Sequence, residues 1–186
     1  MRHADFPVAA DFVDRWSPRG YDSSLKLSEA ELNTLFEAAR WAPSSSNEQP
    51  WKFYYPATEP ARVDFNAFVN ETNRSWAAHA SHIIIVCARK TFAASGKPNP
   101  HAWYDTGAAV MALVLQAEKL GYRARQMAGI LPETIATRLG IDTGKEDIIC
   151  AVAVGKQGET AHLLEKHRSL ENPNNRKPVS EFAIAV

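Results

Sequence analysis

Between Tyr104 and Leu120 the sequence runs YDTGAAVMALVLQAEKL, apolar nearly all round when wound as a helix, with Gly121 placed as its stop. A helix that lacks a polar face must be central to the fold or lie in an interface, so this segment limits every architecture open to the chain. Two short β-branched runs accompany it, His82 to Ala88 and Ile148 to Val154. Each is continuous enough to read as a strand covered on both faces. The other elements fall around these three. LSEAELNTLFEAARWA, from Leu27, reads as a helix with Ser28 and Glu31 as a capping box. Leu32, Leu35, Phe36 and Ala39 line one face, and Pro43 ends it. Trp51 to Tyr55 is strand-like and closed by Pro56, while residues from about 60 to 80 read as helix with polar breaks near Asn70 and Asn73. A Gly- and Pro-rich loop begins at Phe92, and Tyr122 to Gln126 fits a short strand. Leu131 to Leu139 is a short helix with Pro132 in its first turn and Gly140 at its end. No repeat or low-complexity linker divides the chain, so residues 1–186 read as one domain.

The C-terminal segment, about 156–186, fits this body poorly. It is polar, carries Pro173 and Pro178, and ends in the apolar FAIAV. It reads either as a frayed terminus or as an arm that docks elsewhere, as a strand added to a partner.

Charge and composition exclude several classes. Lys+Arg 21 and Asp+Glu 21 cancel to a formal net charge of zero, which argues against a general nucleic-acid or membrane-surface role but leaves room for a local basic site. The longest apolar run, Ile83 to Ala88, is far short of the roughly 20 residues of a membrane-spanning helix. The opening MRHADFPVAADF offers no apolar signal-peptide core. Cys87 and Cys150 sit inside the strand-like runs and read as inert core thiols. With no Cys-x-x-Cys, neither a disulfide scaffold nor a zinc ribbon is expected, and the cytoplasm is the expected compartment. Dinucleotide, P-loop, zincin and nucleophile-elbow motifs are all missing. His79 and His82 are three apart but have no suitably spaced carboxylate, so no metal site is expected. His162 and His167, in the polar tail, are expected to face solvent.

Two segments could carry chemistry. Arg15-Trp16-Ser17-Pro18-Arg19 sets two guanidinium groups around a hydroxyl and exposed amides, a receptor suited to a dianionic phosphate; by composition alone it reads more readily as a solvated basic turn. Ala42-Pro43-Ser44-Ser45-Ser46-Asn47-Glu48-Gln49-Pro50-Trp51 is a stiff loop dense in donors and acceptors. It could ring a flat polar heterocycle or simply connect a helix to a strand.

In this order and spacing, RWSPR and APSSSNEQPW resemble the FMN-dependent nitroreductase family of NAD(P)H-dependent flavin oxidoreductases. The likeness continues through NRSWAAHASHIIIVCA, YDTGAAVMALVLQAEKLGYRA, MAGILPETIATRLGI and DIICAVAVGK. The resemblance implies an α+β fold, a mostly antiparallel central sheet wrapped by helices. It also implies a homodimer with a swapped C-terminal arm and FMN at the subunit interface. Arg15, Trp16, Ser17 and Arg19 would then bind the phosphate and polar edge of the flavin. Pro43, Ser44, Ser45 and Asn47 would reach the same flavin from the other subunit. Asn73 would meet the pyrimidine edge, the backbone of Ala128 and Gly129 would face N5 and O4, and Arg176 would complete the phosphate site. His101, Trp103 and Tyr104, in a loop from Phe92 to Tyr104, become substrate-pocket candidates, though they read equally as loop-edge packing.

By the same resemblance, hydride would pass from NAD(P)H through flavin N5 to a small-molecule acceptor such as a nitroaromatic or quinone, in a ping-pong cycle that needs no catalytic side chain. A flavin carrier or sensor without turnover, or an oxygen-dependent flavin-fragmenting enzyme, are the alternatives. Three positions depart from the family pattern: Trp76 stands where Lys or Gln is common, Asn174 where a second basic residue is common, and Ala128 where many members carry Glu.

Overall fold

The computed structural model of the chain describes residues 2–186. At its centre is a four-stranded sheet of order β1-β2-β4-β3. The strands are β1 (Trp51–Tyr54), β2 (His82–Arg89), β3 (Arg123–Met127) and β4 (Glu146–Gly155), and every neighbouring pair is antiparallel. Ile83, Ile85 and Cys87 project to one face, into a cluster with Phe65, Phe68, Trp76, Met127 and Ile135. Ile84 and Val86 project to the other, into a cluster with Leu32, Leu35, Val110 and Leu113. Burial on both faces is why β2 shows no polar alternation.

The helices are α1 (Ala10–Asp14), α2 (Glu29–Arg40), α3 (Glu59–Phe65), α4 (Glu71–Ala77), α5 (Ala102–Lys119), α6 (Pro132–Leu139) and α7 (Glu165–Arg168). The capping box of α2 forms as its sequence implies: Ser28 Oγ accepts from the Glu31 amide, and the Glu31 carboxylate accepts from the Ser28 amide at 2.8 Å. α6 stops at Gly140, whose φ of 65° is the left-handed conformation that suits glycine. The helix expected near 60–80 is two helices joined by a 3-10 turn at Asn66–Phe68. Asn70 is the break, its side chain capping α4 by accepting from the Asn73 amide at 2.9 Å. Asn73 itself lies within α4.

α5 begins at Ala102, so Trp103 and Tyr104 belong to its first turn rather than to the preceding loop. One side of α5 buries Ala109, Val110, Leu113, Val114 and Ala117 beneath α2 and the sheet. The other side is open: Tyr104 is 82% and Trp103 55% exposed. Met111, Ala112 and Leu115 are only partly covered. The helix is thus central on one side and unpartnered on the other.

The C-terminal segment does not leave the body at Lys156. Gln157 bridges Tyr21, Leu163 is buried, and the Glu171 carboxylate accepts from the Gly20 amide at 2.8 Å. His167 is buried at 5% exposure, against the expectation that it faces solvent. The polar composition of this stretch hid these few anchors. His162 is exposed and lies against His79, ring centroids 4.1 Å apart. Beyond Glu171 the chain runs along the surface, and FAIAV forms no strand, with Phe182 and Ile184 exposed.

Among the described residues, no helix is long and apolar enough to cross a membrane, and no group of three or more His, Cys, Asp or Glu is placed to hold a metal ion. His82 opens β2 with its Nδ1 2.9 Å from Ser81 Oγ, and burial pushes its pKa down to about 4. Burial also pushes the Cys87 and Cys150 thiols up, to about 12 and about 11, well away from thiolate chemistry at neutral pH.

Candidate functional site

Arg15, Trp16, Ser17 and Arg19 follow the end of α1 and border a cavity of about 490 Å³ that Arg2, Arg125 and Arg176 also line. No Asp or Glu lines it. Arg15 Nη1 donates to Ser17 Oγ at 3.2 Å. Arg2 reaches in from the N-terminal segment, its Nη1 donating to the Arg15 carbonyl at 2.7 Å and its Nε to the Asn174 carbonyl at 2.9 Å. Arg176 returns from the opposite end of the chain and donates to the Asn174 and Asn175 carbonyls at 3.2 and 3.1 Å. Burial, then the charges of Arg176 and Arg2, depress the Arg15 pKa. Mutually repelling guanidinium groups around a polar cavity without a lining carboxylate are a donor set that fits a dianionic phosphate.

Arg19 lines the cavity but already has a carboxylate partner. Its Nη1 lies 3.6 Å from Oε2 of Glu171, a carboxylate with 5% of its side chain exposed, and its amide donates to the same residue. Glu171 therefore neutralises Arg19 while pinning the turn backbone at Arg19 and Gly20. Two cavity residues were missed in the sequence. Arg2 carries no motif at all, and Arg125 was visible only as a charged residue inside a short strand.

A second cluster joins Asn73 to Ala128 and Gly129. Asn73 Nδ2 donates to the Gly129 carbonyl at 3.1 Å, and the Asn70 amide donates to the same oxygen at 3.0 Å. The Ile130 amide folds back onto the Ala128 carbonyl at 2.8 Å. A Cβ on Gly129 would collide with the side-chain nitrogens of both Asn73 and Asn70, so a larger residue there would displace the side chains that hold this turn. Trp76, three residues beyond Asn73, is a core residue here. It is 1% exposed, stacks on Tyr21 at 6.3 Å, and lies under Arg125, whose guanidinium carbon is 5.5 Å from the ring centre.

The Pro43–Asn47 loop is elsewhere. Ser45 donates its amide to Asp105 Oδ2 at 3.0 Å, and Ser44 Oγ accepts from the Gln49 amide at 3.0 Å. Ser46, Asn47 and Gln49 all have positive φ, of 54°, 53° and 50°. Conformations of this kind cost on the order of 1 kcal/mol or more each in residues other than glycine, so the loop depends on its braces. Arg89 supplies another, donating to the Glu48 carbonyl at 2.8 Å and pairing with its carboxylate at 3.1 Å. Pro43 and Asn47 remain exposed. His101, Trp103 and Tyr104 stand at this same end. His101 donates its amide to Asn99 Oδ1 at 3.0 Å, and the Trp103 indole donates to Asp147 Oδ2 at 2.7 Å.

The register fixes how far apart these parts lie. Trp51, just after the loop, pairs with Ala88, whereas Arg125 pairs with Ala153, which pairs with Ile83. β1 and β3 are opposite edges of the sheet, so strand rise and spacing put the loop and the cavity about 20 Å apart or more. The structure gathers Arg15, Trp16, Ser17, Arg19 and Arg176 in one place and Asn73 with Ala128 and Gly129 in another. Pro43, Ser44, Ser45 and Asn47 stay with His101, Trp103 and Tyr104 at the far edge.

The model for the nitroreductase family matches residues 13–156. The chain belongs to the nitroreductase family. A crystal structure described as an oxidoreductase containing FMN is 35% identical and superposes with a TM-score of 0.91 over 98% of this chain and 93% of that one. The oxygen-insensitive NAD(P)H nitroreductase of Salmonella typhimurium is 36% identical over 80 residues, 41% of this chain and 37% of that protein. The major NAD(P)H-flavin oxidoreductase of Aliivibrio fischeri is 32% identical over 89 residues, 46% of this chain and 41% of its own length. The match thus spans about two fifths of each of these curated relatives.

Proposed function

We propose that the chain is an NAD(P)H-dependent FMN oxidoreductase that acts as a homodimer, passing electrons to a small-molecule acceptor such as a nitroaromatic or a quinone. The observation that carries this reading is the arginine cavity without a lining carboxylate, on a chain that belongs to this family. The relatives' descriptions, an FMN-containing oxidoreductase and NAD(P)H-linked reductases, support the cofactor and the electron donor. A second copy is supported by the open face of α5 and by a loop and a cavity too far apart to enclose one cofactor within a single chain. The swapped arm then comprises residues 172–186, since 156–171 pack on their own body. A buried and a half-buried thiol, both of raised pKa, are compatible with the cytoplasm.

FMN, when bound, supplies the chemistry of accepting a hydride from NAD(P)H and delivering electrons to the acceptor. The protein's share is binding and orientation. Arg15, Ser17 and Arg176 hold the phosphate, while Glu171 keeps the Arg19–Gly20 backbone in place beneath it. Asn73 fixes the Gly129 carbonyl and so sets the direction of the 128–129 backbone toward the ring. Asp105 holds Ser45 in the loop that reaches the partner's cofactor, and His101, Trp103 and Tyr104 border the side from which donor and acceptor enter in turn. Purified protein should show the visible flavin band and lose it anaerobically on addition of NADH or NADPH. Colourless protein that takes up no FMN would sink this reading, and bound FMN that neither nucleotide reduces would replace it with a carrier or sensor.

A further inference from the structure

Arg125, like Arg2, is a cavity residue that neither the motif nor the family likeness assigned. It stands on β3, on the strand that leads into Ala128 and Gly129, and so lies between the phosphate residues and the turn held by Asn73. Two contacts hold it there: Nη1 donates to the Ser17 carbonyl, and the guanidinium lies over the buried Trp76 ring at 5.5 Å. Among the described residues it forms no salt bridge, whereas Arg19 beside it is paired with Glu171 at 3.6 Å. Burial, then the charge of Arg19, depresses the Arg125 pKa. A half-buried cation without a carboxylate partner, its position set by a carbonyl and an aromatic face, is organised to meet an anion from outside the chain.

We propose that Arg125 binds the cofactor's phosphate with Arg15 and Ser17, as a cation that, unlike Arg19, has no salt bridge among the described residues. Trp76 acts as its positioning residue, the ring that keeps the guanidinium at the Ser17 carbonyl. This rests on FMN being the cofactor. Because riboflavin lacks the phosphate, comparing the two ligands isolates the contact.

The test measures flavin release from purified protein, then rebinding of FMN and of riboflavin, by fluorescence. In Arg125→Gln, FMN affinity should fall about 10-fold or more, the loss of one charge-assisted contact, with riboflavin affinity changed far less. The salt dependence of FMN binding should also flatten. Arg125→Lys should restore most of the FMN affinity, and Trp76→Phe should give a smaller loss that is still selective for FMN. An equal loss for both flavins would overturn the assignment, because a merely structural Arg125 cannot tell them apart. So would an Arg125→Gln protein that melts normally and holds FMN as tightly as the wild type. Wild-type protein that binds neither flavin would instead remove the functional reading on which the proposal rests.

Discussion

The cavity at the β3 edge draws its arginines from the N-terminal segment, the turn after α1, β3 and the C-terminal segment. The loop at the β1 edge is one contiguous stretch. The cavity collects like charges that repel and wait for an anion. The loop is locally braced, with three left-handed residues held by Asp105, Arg89 and its own hydroxyls. One is assembled by tertiary contacts and concentrates positive charge, while the other is shaped by local backbone geometry. On the function proposed above, the two would complete one flavin site only between two copies, since they stand on opposite edges of one sheet.

What the halves share is the sheet, so the largest effect should remove both together. His82, neutral in the fold with a pKa near 4, titrates near 6.5 when unfolded, so the unfolded chain binds the extra proton first as pH falls. Stability contributed by the neutral ring is complete above about pH 6.5 and is lost progressively down to about pH 4, to an extent of roughly 2–3 kcal/mol. Thermal melts across that range should show the decline. A melt independent of pH there would mean His82 is not held neutral.

On the cavity side, Arg15→Gln should weaken FMN binding by roughly 10- to 100-fold with little change in melting temperature. A fall in stability matching the fall in affinity would erase the distinction drawn between the charged cavity and the locally shaped loop. On the loop side the pattern should reverse. Asp105→Ala removes the acceptor that holds Ser45 and should destabilise the fold by about 1–2 kcal/mol, measured by denaturant unfolding. Asn47→Ala should have a smaller effect, visible only in mixed dimers, as weaker flavin retention in the protomer opposite the substituted one. Loss in the same protomer would contradict the shared site. Finally, ending the chain after Glu171 leaves the packed stretch intact but removes Arg176 from the cavity, so it should lower both FMN affinity and dimer stability, the latter read by concentration-dependent sedimentation.

Much of this was legible because it is local. The capping box at Ser28 and Glu31, the stop at Gly140 and the continuous runs of β2 and β4 follow from residue chemistry within a few positions. The turn RWSPR and the loop PSSSNEQPW were identifiable by composition and order. Arg2 and Arg125 were not, since nothing near either residue marks it as a site residue and only the packing of distant segments brings them to Ser17. Nor was the pairing of Arg19 with Glu171, which removes the free charge the motif suggested.

The sequence by itself determined most of the regular elements, because hydrophobic period, capping and turn chemistry act over short range, and its motifs carried the resemblance to the family. Only the tertiary structure decided which charges stay unpaired, which part of the C-terminal segment belongs to its own body, and that the two halves of the site face away from each other. Those outcomes depend on register across four strands and on contacts between residues 150 positions apart, such as Gly20 and Glu171, and no local pattern encodes them.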